Sequence, residues 1–299
     1  MNEASAKERA AGLAIWRGPV DPQPLHGGMT NFNFLVEDGG ERFVVRVGGD
    51  IPIHQVMRFN ELAASKAAFN GGISPEIVHS EPNILVLRFI EGLTCKAEDV
   101  RDPGRLAKIV PLIKRVHHEM PRYLRGPALA FWVFQIIRDY AHTLGEGKSR
   151  YAARLDEFVE TASQLEGAVG PVDFAFGHND LLPANFIDDG QRIWLIDWDY
   201  AGFNAPLFDL ANLASNSDFD GEQEAWMLEA YYGQPPGPQL LLSYRAMKCA
   251  SYLRDAMWSM VSEIHPESAN YVDRAAYTQY SMDRYSRAQA AFDLYKDRP

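Results

Sequence analysis

The chain has 299 residues, 46% hydrophobic and 23% charged, the balance of a globular protein long enough for one large domain or two lobes with separate cores. Its formal charge of −11 argues against nucleic acid or an anionic membrane as partner and is compatible with a cationic substrate. No apolar run reaches the length of a membrane span. Cys95 and Cys249 lie too far apart for a disulfide framework or a metal knuckle, and read as buried thiols of a reducing compartment. The opening MNEASAKERAAGLAIW carries early acidic residues and no long apolar core. It predicts a short amphipathic helix rather than a secretory signal, and a cytoplasmic location.

Residues 24–47 predict a β unit. Leu25-His26-Gly27-Gly28-Met29-Thr30-Asn31 is a glycine-containing turn, 32–37 a strand, Asp38-Gly39-Gly40-Glu41 a hairpin turn and 42–47 an alternating second strand. Glycines in the first turn would let backbone N–H groups approach phosphates closely; the same turn also reads as a plain hairpin. A helix over 55–69 follows, stopped by Gly72 and Pro75, and 83–90 (NILVLRFI) is an apolar strand.

Helical periodicity dominates beyond this point. Asp102 caps a helix that Pro103 starts and that runs to about His118, with Leu106, Ile109, Leu112, Ile113 and Val116 on its apolar side and a kink expected at Pro111. The adjacent His117 and His118 point different ways on a helix and have no acidic partner nearby in sequence, so core or surface roles are expected. Helices over 128–143 and 150–165 are joined by the polar GEGKSR loop, which lacks the preceding strand and glycine of a P-loop.

Residues 177–209, GHNDLLPANFIDDGQRIWLIDWDYAGFNAPLFD, concentrate the chemistry. Asp188-Asp189-Gly190 marks a turn between Phe186-Ile187 and a buried strand over 192–196 that ends in Asp197. Such a hairpin brings Asn185 and Asp197 together, with Asp180 on the loop beside them. Phosphoryl transfer needs a carboxylate to take the proton of an acceptor hydroxyl and oxygen ligands for magnesium on the nucleotide phosphates. Asp180 suits the first task, Asn185 and Asp197 the second. Taken singly, each is also an ordinary turn former. Three last helices, over 222–232, 239–264 and 270–295, are rich in aromatics, which either pack as core or offer faces to an ammonium group.

HNDLLPANFI followed by LIDWDYAGFNAPLFDLA resembles the catalytic segment of the choline/ethanolamine kinases, relatives of the aminoglycoside phosphotransferases. The resemblance implies an α+β, protein-kinase-like fold: a small β-rich nucleotide-covering lobe (1–90) and a larger, mainly helical catalytic lobe (91–299). It implies ATP and Mg2+ as cofactors, with phosphates held by Gly27, Gly28, Thr30, Asn31 and Arg46, and with Glu61 as the partner of Arg46. Strand 83–90 becomes the hinge, with adenine near residues 88–91. His178 and Asp209 would support the catalytic loop; simple N-capping is a further role open to Asp209. SYLRDAMWSMVSE resembles the segment lining the family's acceptor pocket. There Trp258 retains one of two usual tryptophans, Asp255 stands at the other place, and Asp199 joins them as an acceptor contact. The implied reaction is phosphorylation of choline or ethanolamine, a small cationic amino-alcohol. A thiamine, sugar or aminoglycoside kinase, or a non-catalytic nucleotide-binding pseudokinase, are the alternative readings.

Overall fold

The structure, a computed structural model, describes residues 2–25, 29–269 and 273–296. Helix α1 (Glu3–Ala11) is capped by Asn2, whose side chain accepts from the Ser5 amide at 2.9 Å. Strands β1 (Gln23–Leu25), β2 (Phe32–Asp38) and β3 (Glu41–Val47) follow, then α2 (Arg58–Asn70), β4 (Ile77–Glu81) and β5 (Ile84–Arg88). The strands form an antiparallel sheet in the order β1-β2-β3-β5-β4. The tight β2–β3 connection needs two left-handed residues, supplied by Gly39 (φ 59°) and Gly40 (φ 83°). Period-two alternation then divides the sheet into two faces. Phe34, Val36, Phe43, Val45, Val47 and Val86 pack with Ala6 and Ala10 of α1 as one core. The opposite face turns Arg46, Leu85 and Leu87 to a cleft shared with Ile196 and Asp197. A one-residue register slip would bury Arg46 under α1 and expose the core residues.

Helix α2 starts three residues later than periodicity predicts. Residues Pro52–His54 form a 3-10 turn, Gln55 is left-handed (φ 62°), and Ile51 bridges to Val56.

The second lobe comprises β6 (Leu93–Thr94), α3 (Ala97–Val100), α4 (Pro103–His118), α5 (Val133–Glu146), α6 (Leu155–Val169), β7 (Ala175–Gly177), β8 (Phe186–Asp188), β9 (Ile193–Leu195), β10 (Gly202–Asn204), α7 (Pro206–Asn216), α8 (Gly221–Tyr232), α9 (Pro238–Ile264) and α10 (Arg274–Lys296). Asp102 caps α4 by accepting from the Arg105 amide at 2.9 Å, and the helix continues as one element past Pro111. Helix α5 begins later than expected because the chain before it pairs with β10. Ala130 bridges Phe203, the Phe203 amide donates to the Leu129 carbonyl at 2.8 Å, and the Phe131 amide donates to the Phe203 carbonyl at 2.9 Å. Residues 150–154 form a turn and the 3-10 segment Ala152–Arg154, delaying α6 to Leu155. The long α9 packs against α5, α6, α7 and α10 and is the axis of the second core. Among the described residues no helix is long and apolar enough to cross a membrane. Cys95 and Cys249 are buried free thiols, pushed up by burial to about 11 and about 12.

Candidate active site

The loop after β7 is held from three helices. Asp209, on the first turn of α7, accepts from the backbone amides of His178 (2.8 Å) and Asn179 (2.7 Å). It does not cap its own helix, whose N-cap is Ala205. His117 of α4 completes the clamp, with Nε2 2.9 Å from Asp209 Oδ2 and Nδ1 2.7 Å from the Tyr231 hydroxyl of α8. This histidine therefore has an acidic partner after all, brought from far along the chain. Burial pushes the Asp209 carboxyl up, but the hydrogen bond and charge of His117 hold it below its ordinary value. Asn212, one turn along α7, accepts from the Leu181 amide at 2.6 Å.

Inside the loop, Asn179 is left-handed (φ 64°), a conformation asparagine tolerates better than most residues. Its Nδ2 donates to the Tyr200 (3.0 Å) and Gly202 (3.2 Å) carbonyls, and its Oδ1 accepts from Asn204 Nδ2 at 3.0 Å. A Cβ at Gly177 would come within 2.9 Å of Asn179 Oδ1 and 3.1 Å of Asp209 Oδ2, so glycine is required at this close approach. His178 is fully buried, its Nε2 2.9 Å from the Ile196 carbonyl and its Nδ1 accepting from the Asp180 amide at 3.3 Å. Burial lowers its pKa, in keeping with this neutral, one-proton arrangement.

Asp180, Asn185 and Asp197 meet at one cavity. The Ile196 amide donates to the Asn185 carbonyl at 3.0 Å, and Asn185 Nδ2 donates to the Asp180 carbonyl at 2.9 Å, which ties the three together. Asp197 is left-handed (φ 69°), which turns its carboxylate off the end of β9. Burial pushes Asp180 up to about 8; Arg254 opposes this, and Asp197, Asp255 and Asp199 add to it. The donors fit magnesium. With its Nδ2 engaged, Asn185 has an amide oxygen that accepts no hydrogen bond among the described residues. Asp197 gives Oδ1 to Arg46, and among the described residues its Oδ2 accepts no hydrogen bond. Two hard oxygens, with phosphate and water completing the shell, are what Mg2+ prefers.

Behind the cavity lies a buried charge network. Arg46 Nε meets Glu61 Oε1 at 2.9 Å, while its Nη2 meets Asp197 Oδ1 at 2.7 Å and Asp199 Oδ1 at 3.1 Å. Arg58 reaches Glu61 Oε2 at 2.7 Å and Asp199 Oδ1 at 2.9 Å. Thr30 Oγ1 (2.7 Å) and Asn31 Nδ2 (3.0 Å) donate to Asp199 Oδ2. Asp199, expected as an acceptor contact, lines the cavity but is only 2% exposed, and both its oxygens accept hydrogen bonds from this network. Burial alone would raise it; Arg46 and Arg58 pull it down. Thr30 and Asn31, expected at phosphates, likewise give their side chains to Asp199. Arg58 is missing from the sequence-derived set, although it precedes Glu61 by one helical turn and could have been found there. Gly27 and Gly28 lie outside the described residues.

The other wall of the cavity is aromatic. Trp258 Nε1 donates to the Tyr200 hydroxyl at 2.9 Å, and Trp258 also faces His54, with ring centroids 4.8 Å apart. Tyr252, Tyr277 and Tyr280 line the same space. Tyr244 and Tyr285 are core residues, and Trp226 lies on the surface. Asp255 lines the cavity, but it is not a free counter-charge: Arg254 Nη1 donates to its Oδ1 at 3.0 Å. Arg254 is 4% exposed, and its guanidinium stacks 4.5 Å over the Tyr200 ring. The sequence reading overlooked Arg254, since an arginine beside a presumed cation pocket carries no local signal.

A family model described as choline/ethanolamine kinase matches residues 23–236. Protein LicA of Haemophilus influenzae is 24% identical over 282 residues, covering 91% of this chain and 79% of that protein. Among solved structures, a choline/ethanolamine kinase family protein from Mesorhizobium loti matches with TM-score 0.77 and 27% identity, over 100% of this chain and 96% of the other. Choline kinase LicA from Streptococcus pneumoniae matches with TM-score 0.77 and 25% identity, over 98% and 99% of the two chains. With a loop, a cavity and two lobes arranged as a phosphotransferase on alcohol groups requires, the chain belongs to the choline/ethanolamine kinase family and has its protein-kinase-like fold.

Proposed function

We propose that the protein is an ATP- and magnesium-dependent kinase that phosphorylates the hydroxyl of a small amino-alcohol, with choline as the first acceptor to test and ethanolamine as the second. The observation that carries this reading is the single cavity in which the Asp180 carboxylate and the Asn185–Asp197 pair face Tyr200, Tyr252, Trp258 and Tyr277. Aromatic faces attract a quaternary ammonium by about 1–2 kcal/mol each when desolvated. Ethanolamine would want hydrogen-bond acceptors, and Asp255, on the same helix as Trp258, is paired with Arg254. That pairing favours choline.

In this reading residues 1–90 cover the nucleotide and residues 91–299 carry catalysis and acceptor binding. Asp180 orients the acceptor hydroxyl and takes its proton as oxygen attacks the γ-phosphorus and the bond to the β,γ-bridging oxygen breaks, releasing ADP. Asn185 and Asp197 hold Mg2+, which neutralises charge on the phosphates when bound. Arg46, kept in place by Glu61 and Asp199, reaches the α- and β-phosphates, a task it shares in this reading with Gly27 and Gly28. His178 and Asp209 fix the loop.

The test is ATP turnover against a panel of choline, ethanolamine, thiamine, sugars and aminoglycosides. Asp180→Ala should lower the choline-dependent rate by roughly 10²–10⁴-fold while leaving nucleotide binding intact. Turnover that no acceptor stimulates beyond the Asp180→Ala background would favour a pseudokinase, and stimulation by another acceptor alone would replace choline.

A further inference from the structure

A second cleft lies between α8, α9 and α10 and shares Tyr252 and Arg284 with the acceptor cavity. Its charged lining is Arg245, Lys248, Arg284 and Arg287 against Asp218 and Glu224, a formal excess of two positive charges in a chain whose total is −11. The two carboxylates are already matched: Glu224 pairs with Lys248, and Asp218 Oδ1 accepts from Arg284 Nη2 at 3.2 Å. The nearby α10 carboxylates are turned elsewhere, Asp283 to Gln279 (2.8 Å) and Asp293 to Lys296 (2.6 Å). That leaves Arg245 and Arg287 without a carboxylate among the described residues. Arg287 Nε donates only to the Asp283 carbonyl at 3.3 Å. Arg245 lies 4.2 Å over the Tyr295 ring, and its buried Nε has no hydrogen-bond partner among the described residues. An anion with several oxygens would match the two cations that no carboxylate neutralises.

We propose that this cleft is a binding site for a small phosphate dianion, separate from the phosphate-handling side of the active site. Two sources share that chemistry: free inorganic phosphate, and a phosphate monoester such as the phosphorylated amino-alcohol that the proposed reaction would release next door. The proposal concerns the cleft itself and does not depend on which acceptor the enzyme uses.

The experiment is calorimetric titration of the full chain with inorganic phosphate and, separately, with phosphocholine, the nucleotide site being saturated with a non-hydrolysable ATP analogue. The expected result is saturable binding of at least one of them, weakened tenfold or more in the double variant Arg245→Gln/Arg287→Gln. The melting temperature and the acceptor-dependent ATP turnover of that variant should match the parent, which separates loss of the site from loss of the fold. Binding of phosphocholine alone would identify the monoester as occupant; equal binding of both would show that the dianion suffices. Absence of saturable binding by either probe, or binding that the double variant leaves unchanged, overturns the proposal.

Discussion

Replacing Arg46 with Met tests the charge network at its centre. In the native protein two guanidinium groups, Arg46 and Arg58, face three carboxylates, Glu61, Asp197 and Asp199. Arg46 is 7% exposed, Glu61 4% and Asp199 2%, so water cannot stand in for the lost cation. Methionine fills much of the arginine volume, which keeps the perturbation electrostatic. Removing one partner of a buried ion pair costs about 3–5 kcal/mol. That is a large share of the roughly 5–15 kcal/mol by which a domain is stable. The variant leaves one cation against three carboxylates; adding Asp199→Asn restores the native excess of a single negative charge. Urea unfolding followed by tryptophan fluorescence should therefore show a loss of about 3–5 kcal/mol in Arg46→Met and recovery of about 1–3 kcal/mol in the double variant. ATP affinity should stay low in both, because neither restores the guanidinium. A single-variant loss below about 1 kcal/mol, or costs that simply add, would refute the network as a coupled unit.

Ser74→Ala should cost about 1–3 kcal/mol in the same assay, because Ser74 Oγ donates to the Leu195 carbonyl and accepts from buried Trp198 Nε1 at 2.8 Å, which the change strands. Trp258→Phe removes the hydrogen bond to Tyr200 and narrows the aromatic wall; the acceptor KM should rise severalfold with little change in kcat, read from steady-state kinetics. Acid should weaken the fold through His54, which lies 1% exposed among Tyr140, Ser262 and Ser268. Burial, with Arg254 and His265 adding, lowers its pKa from 6.5 to about 3, so between those values the unfolded chain binds the proton and the native one does not. Its contribution is full above pH 6.5 and declines as pH falls towards 3; His54→Gln should flatten the urea midpoint between pH 7 and 4.5 relative to the parent.

The elements whose formation depends on neighbouring residues were legible in the sequence. Gly39-Gly40 could only be a tight turn, Asp102-Pro103 could only open a helix, and the alternation in residues 42–47 put Arg46 on the face opposite the core. Where the prediction slipped, long-range pairing had overruled local propensity. The segment before Val133 reads as helix, yet its backbone is committed to Phe203. Asp255 and Asp199 read as carboxylates awaiting a cationic substrate because their arginines are invisible from their own surroundings. Arg254 is adjacent in sequence, but whether it turns to Asp255 or to solvent depends on Tyr200 packing beneath it.

The HND…N…D spacing of residues 178–197 pointed to phosphoryl transfer by itself, since one short hairpin supplies the proposed base and both proposed metal oxygens. The tertiary structure decided which charges remain free for ligands. Arg46 and Arg58 arrive from the sheet lobe to neutralise Asp199, and His117 arrives from α4 to secure Asp209. Charge neutralisation of this kind falls off within a few ångströms, so it depends on which side chains share a buried space. Those partners lie 92 to 153 residues apart along the chain, and only folding brings them within 3.1 Å.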